Sequence, residues 1–258
     1  MTPSQALQRV IVRMLYDPSL VARVYSGATP APLTAAQADL LRRQPRGAWG
    51  TDPYRASRTL QALIEEYPAA ASLTGAPPLH AFFRSDAFHD AIMARAVLAD
   101  AFGAWVEPAA GPVARLERAV SALRRRRPVP LAAGQLRCAT NLQPVSLPAG
   151  TLPAWQALSQ ALGPRPVEAL VAAGYRPPPT PTLGAAIEHW ILEAGPGGQI
   201  QLSSGSAGLN GLLEAASAPT PERTLRAAAR RLGADSDAEA QEIIDGVVDS
   251  GLLLRTSV

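Results

Sequence analysis

Lysine is absent from the 258-residue sequence, so all 24 basic residues are arginine. That removes the P-loop lysine, Schiff-base lysines and every lysine nucleophile from consideration. Cysteine is nearly absent too. Cys138 stands alone, which excludes an internal disulfide, and with only three histidines no Cys/His zinc spacing is available. The expectation is a reduced, intracellular setting. Aromatic residues amount to only 5%. No window approaches 18 uninterrupted apolar residues, and Met1-Thr2-Pro3-Ser4-Gln5 carries neither the basic nor the apolar region of a signal peptide. The chain is therefore expected to be soluble and cytoplasmic, with no membrane partner. Because the missing lysine accompanies abundant alanine, arginine and proline, it reads as nucleotide-composition bias, and the arginine excess carries little weight alone.

What is present is 47% hydrophobic residues, enough for one large domain or two ordinary ones. Twenty-five prolines and twenty glycines fall between periodic apolar segments and punctuate them. Leu7, Val10, Ile11, Met14 and Leu15 follow helical spacing until Asp17-Pro18 breaks the pattern, and Leu20, Val21, Val24 and Tyr25 start a second short helix. Thr34 and Gln37 form a capping box, with Leu33 as staple, ahead of Leu40 and Leu41. Asp52-Pro53 places an N-cap before an N1 proline, and Leu60, Leu63, Ile64 and Tyr67 share a face until Pro68 stops that helix. Ser85 and Asp86 open a helix with the face Phe88, His89, Ile92, Met93, Ala96 and Val97. The last helix of this region carries Val113, Leu116, Val120 and Leu123 and ends in Arg124-Arg125-Arg126-Arg127-Pro128. Six helices in about 127 residues predict an all-α bundle over residues 1–127.

After Pro128 the texture changes. Leu131 to Ala139 and Pro144 to Leu147 suit short strands or connectors, and Thr151 to Leu162 returns to helix. Residues 128–176 therefore read as a connecting segment of short strands and a helix. Tyr175-Arg176-Pro177-Pro178-Pro179-Thr180-Pro181 is an extended linker. Beyond it, over residues 182–258, Glu188 to Glu193 and Gln199 to Ser203 pair as a hairpin around Gly195-Pro196-Gly197-Gly198, with Ile200 and Leu202 on one face. Three helices follow, carrying Leu209, Leu212 and Leu213, then Leu225, Ala228, Ala229 and Leu232, then Ala240, Ile243, Ile244, Val247 and Val248. Gly251 ends the third, and Leu252 to Arg255 form a final strand. The expected fold class is mainly α with a small α+β part: a helical bundle followed by a winged-helix arrangement.

The segments Gln199 to Ser204, Leu209 to Leu213, Thr224 to Leu232 and Ile243 to Leu253 resemble the PqqD-like recognition element for precursors of ribosomally synthesised, post-translationally modified peptides. One departure is that Ala216-Ser217-Ala218-Pro219-Thr220 stands where that family carries an Asp-Gly turn. Arg23-Val24-Tyr25, Leu60 to Leu73 around Glu66-Tyr67-Pro68, and Pro112 to Ala119 are similar to the partner proteins of multinuclear non-haem iron oxidative enzymes, of methanobactin type and HvfC-like. The resemblance implies a non-catalytic protein with no cofactor of its own, the iron lying on a partner enzyme with which it forms a heterodimer. It implies that a precursor leader adds as a strand along Gln199, Ile200, Gln201, Leu202 and Ser203 and packs on the third helix at Ile243, Ile244 and Val247. For any single one of these apolar residues the core role is the better reading, and the groove is a hypothesis about the three together.

Other features point to dull roles. His80 and His89 lie nine apart and His189 sits in an expected strand, which is not a metal-ligand spacing; His89 reads as a half-buried helix residue. Ser204-Gly205-Ser206-Ala207-Gly208 lacks the first glycine of a nucleophile elbow, and the adjacent Glu65 and Glu66 point to different sides of a helix. The rival reading is a winged-helix DNA-binding regulator using Arg124 to Arg127, Arg223, Arg226, Arg230 and Arg231. Against it, Ala238 to Asp245, where base contacts would lie, is acidic and repelled by phosphate.

Overall fold

The computed structural model describes residues 2–50, 52, 54–172 and 174–256. The chain is mainly helical, with two three-stranded antiparallel sheets. It divides into two compact units, Met1–Ala114 with Gln156–Pro179, and Arg115–Trp155 with Thr180–Val258. This corrects the expected boundaries. Residues 128–176 are not a connector between a domain ending at 127 and one starting near 182, because their strands pair with partners far along the chain.

The first unit holds α1 (Pro3–Tyr16), α2 (Pro18–Tyr25), α3 (Ala35–Arg42), α4 (Arg55–Glu66), α5 (Pro68–Thr74), α6 (Ala76–Leu79), α7 (Asp86–Ala94), α8 (Leu98–Ala110) and the start of α9 (Pro112–Arg125). The end of α10 (Thr151–Leu162) and α11 (Pro166–Val171) complete it. Local chemistry sets the ends. Thr34 and Gln37 cap α3 reciprocally, at 2.9 and 3.3 Å. Asp17 both ends α1 and caps α2, accepting from the amides of Ser19 and Leu20. Burial alone would raise the Asp17 carboxyl, but these bonds, that from the Ser19 hydroxyl and the nearby Arg84 guanidinium hold it below its ordinary value.

Among the described residues the region up to Arg125 holds nine α-helices, three more than the pattern implies. Pro68 does end α4, and as N1 it also starts α5, since an N1 proline lacks only an amide that has no partner there. The expected proline at 53 lies outside the described residues. Asp52 accepts from the Tyr54 amide and pairs with Arg58, and Tyr54 is the N-cap of α4. Arg95, left-handed at φ 53°, ends α7, so Ala96 and Val97 fall outside it. The core is an aromatic cluster of Tyr67, Phe82, Phe83, Phe88 and Phe102, with Phe82 and Phe102 edge to face at 5.2 Å.

The second unit contains β1 (Gln135–Cys138), β2 (Leu142–Pro148), β3 (Ile187–Ala194), β4 (Ile200–Ser204), α12 (Ala207–Ala215), β5 (Thr220–Pro221), α13 (Glu222–Arg231), α14 (Asp237–Asp249) and β6 (Leu253–Arg255). One sheet runs β2-β3-β4 and the other β5-β1-β6. The expected hairpin forms between β3 and β4, in a register that sets Leu192 opposite Leu202. Its period of two sorts side chains between two cores. Ile191 joins a cluster with Leu136, Cys138, Leu212, Leu213, Leu225, Ile244 and Leu253. Leu192, with Ala194, Ile200 and Leu202, meets Leu116, Val120 and Leu123 of α9. The turn Ala216 to Thr220 is tied to β1 by a 2.7 Å bond from the Cys138 amide to the Ala216 carbonyl. No helix among the described residues is long and apolar enough to cross a membrane.

Candidate functional site

Strand β4 is the edge of its sheet. Gly195 donates to the Gln199 carbonyl at 2.9 Å and Gly205 to the His189 carbonyl at 2.8 Å, which fixes the phase of the ladder. Gln201 and Ser203, in step with these, exchange bonds with β3. Ile200, Leu202 and Ser204 therefore turn their amides and carbonyls outward, to the open edge.

The eight expected ligand contacts separate into distinct roles. Gln199 closes the turn, its side chain lying over Gly197. Ile200 and Leu202 share a face, as expected, but that face belongs to the α9 core, so they have only backbone to offer at the edge. Gln201 and Ser203 expose their side chains on the Ile191 side of the sheet. Ile244 is fully buried and packs in the core. Ile243 is 40% exposed and, with Val247, lines a cavity of about 370 Å³.

That cavity lies between α12, the end of α13 and α14. Leu209, Leu212, Ala229, Leu232, Ile243 and Val247 give it apolar walls, and Ser206 stands at its rim. Ser206 is also the N-cap of α12, accepting from the Leu209 amide at 3.1 Å, and lies two residues beyond the end of β4. Two residues past the open edge, the chain thus contributes to an apolar recess of side-chain size.

Two arrangements hold this geometry. Asn210, 1% exposed, donates from Nδ2 to the carbonyls of Val145 and Trp190, each at 3.1 Å, fastening α12 to β2 and β3. Gly205 makes room for it, since a Cβ there would stand 2.5 Å from Asn210 Oδ1. Behind α14, Arg255 of β6 bonds Asp245 at 2.6 Å and Glu222 at 3.1 Å, and Gln241 bonds both carboxylates. The Arg255 hydrogen bond lowers the Asp245 carboxyl, and that same bond raises the guanidinium. Asn210 is a mid-helix polar residue that no local pattern singles out, because its partners lie 65 and 20 residues away.

The remaining candidates do not converge. Among the described residues no group of three or more His, Cys, Asp or Glu could hold a metal ion. His189 Nδ1 lies 3.0 Å from the Ser146 hydroxyl. His89 is buried, not half-buried, at 2% exposure. Desolvation, reinforced by Arg13 and Arg9, lowers its pKa to about 4. Burial raises the Cys138 thiol against the pull of Arg126 and Arg137, keeping it protonated. Several arginines of the DNA-binding alternative have structural work: Arg125 bonds Ser121, Arg126 bonds the Leu142 carbonyl, and Arg230 bonds the Ala234 carbonyl at 2.9 Å. Neither a scan against models of known protein families nor a search of curated proteins finds a match to this chain.

Proposed function

We propose that the chain is a non-catalytic adaptor in the maturation of a ribosomally synthesised peptide. In this reading β3, β4, α12, α13, α14 and β6 form a winged-helix recognition domain. The precursor's leader adds to β4 as a further strand and seats a side chain in the cavity between α12, α13 and α14. The helical unit docks on a multinuclear non-haem iron oxidative enzyme as a heterodimer, and the iron and the chemistry belong to that enzyme.

The observation that carries this reading is the open β4 edge together with an apolar cavity whose lining includes Ser206, two residues beyond that strand. Strand addition gives affinity through backbone hydrogen bonds and selectivity through pockets for side chains; the edge position of β4 and the apolar cavity support the reading. Capture raises the effective concentration of the peptide at the enzyme, so modification becomes efficient without a catalytic group from this chain. DNA binding fits less well, since α14 would enter the major groove with Glu239, Glu242 and Asp249 exposed to phosphates.

The test is co-expression of the tagged chain with the short peptide and the candidate iron enzyme encoded beside it, followed by pull-down and mass analysis. Recovery of the enzyme with a mass-shifted peptide, both lost when this chain is omitted, is the expected result. Recovery of neither, with tight and strongly salt-dependent binding to neighbouring promoter DNA, refutes it.

A further inference from the structure

Residues 230–250 carry six carboxylates (Asp235, Asp237, Glu239, Glu242, Asp245 and Asp249) against two arginines (Arg230 and Arg231), a net of −4 within a chain of +3. Part of this excess has a local explanation. Asp237 and Glu239 occupy the first turn of α14, where negative charge is favourable, and Glu239 also accepts from the Asp235 amide. Asp245 is bonded to Arg255. Glu242 and Asp249 are different. Both are exposed, neither has a hydrogen bond or ion pair among the described residues, and Asp249 sits in the last turn, where the helix dipole opposes a carboxylate. Arg255, which interacts electrostatically with Asp249, forms its ion pairs with Asp245 and Glu222.

Their positions give the pair a meaning. Helical spacing puts Glu242, Gly246 and Asp249 in one row, alongside the cavity row of Ile243 and Val247. The two carboxylates stand about 10 Å apart along the axis. Between them nothing lies within 4 Å of where a Gly246 side chain would begin, which leaves a notch. The acidic row thus runs along the same helix that lends Ile243 and Val247 to the apolar recess.

We infer that the segment this surface takes is a cationic and apolar peptide, with one bulky aliphatic side chain in the cavity and neighbouring arginine or lysine side chains over Glu242, Gly246 and Asp249. This rests on the adaptor reading and adds the chemistry of the recognised sequence. An acidic leader is excluded by the same charges, so the row works as a selectivity element as well as an attraction.

The test uses the full chain and two fluorescein-labelled twelve-residue peptides, each with a central leucine in a threonine/valine background, flanked two positions away on both sides by arginine in one and glutamate in the other. Anisotropy titrations are run at 50 and 500 mM salt. The arginine peptide is expected to bind at least tenfold more tightly at 50 mM, with the gap narrowing at 500 mM. The double variant Glu242→Arg/Asp249→Arg, at exposed positions that leave the fold intact, is expected to reverse the preference. Ile243→Glu is expected to weaken the arginine peptide about tenfold. Equal binding of the two peptides, or a preference untouched by the double variant, overturns the inference. The same double variant is then assayed with the co-encoded precursor. Unchanged capture leaves the adaptor reading standing and the charge inference refuted, whereas no capture even by the unaltered chain removes both.

Discussion

His89 should make the helical unit acid-sensitive in a way that a single substitution removes. Its ring is 2% exposed in the aromatic core, edge to face with Phe88 at 5.5 Å, and its pKa is lowered to about 4 by desolvation first and by Arg13 and Arg9 second, with Asp86 and the Phe83 backbone opposing. An unfolded histidine titrates near 6.5. The folded state therefore binds the proton less readily than the unfolded one. The stability from keeping the ring neutral is complete above pH 6.5, falls as the pH drops below that value, and is lost by pH 4. Two and a half pKa units correspond to about 3 kcal/mol, of which about 2.5 kcal/mol is gone at pH 4.5. Carboxylates also titrate there, so the measurement is a difference. Urea unfolding of the parent and of His89→Gln is compared at pH 7 and pH 4.5, with the His89 ring titration followed by NMR. At pH 7 the variant should be the less stable of the two through lost packing, and by pH 4.5 the gap should shrink or invert by about 2.5 kcal/mol. Parallel pH profiles, or a ring that titrates near 6.5 in the folded protein, would refute the reasoning.

Asn210→Leu leaves the Val145 and Trp190 carbonyls without their donor and should destabilise the second unit by about 2–3 kcal/mol in chemical denaturation. Gly246→Ala adds a methyl group to an exposed helix position with nothing within 4 Å, and should stabilise by up to about 1 kcal/mol, read as a higher denaturation midpoint. Ser204→Pro removes an outward-facing amide from the β4 edge without touching the ladder to β3. It should leave the circular dichroism spectrum unchanged while abolishing peptide capture, because proline is tolerated at such an edge but cannot donate to an added strand.

The hairpin was legible because Gly195-Pro196-Gly197-Gly198 is strong turn chemistry between two strand-like runs, and the edge followed from it. Helix α8 was not. Ala99, Phe102 and Val106 are buried while Ala101 and Trp105 also pack on the core, so the apolar surface wraps too far round for one face to stand out, and Pro108 lies inside the helix. Helix α5 was masked because Pro68 reads as a stop and serves equally as a start. Periodicity placed Ile243, Ile244 and Val247 on one helix but could not divide them, since the division depends on how α12 and α13 pack beside α14. Only that packing sends Ile244 into the core and leaves Ile243 at the cavity. Pairings between distant segments, β1 with β6 above all, leave no local trace in a sequence.

Strand β1 lies in the middle of its sheet, and Leu136 pairs with Arg255, 119 residues further on. During synthesis at about 5–20 residues per second, β1 waits roughly 6–24 s after it is made before its β6 partner exists. Throughout that interval Leu136 and Cys138, both fully buried in the finished unit, lack the strand that covers one side of them. The second unit therefore completes this sheet only after β6 is made, at a moment when the helices that precede Leu136 have long been available to fold.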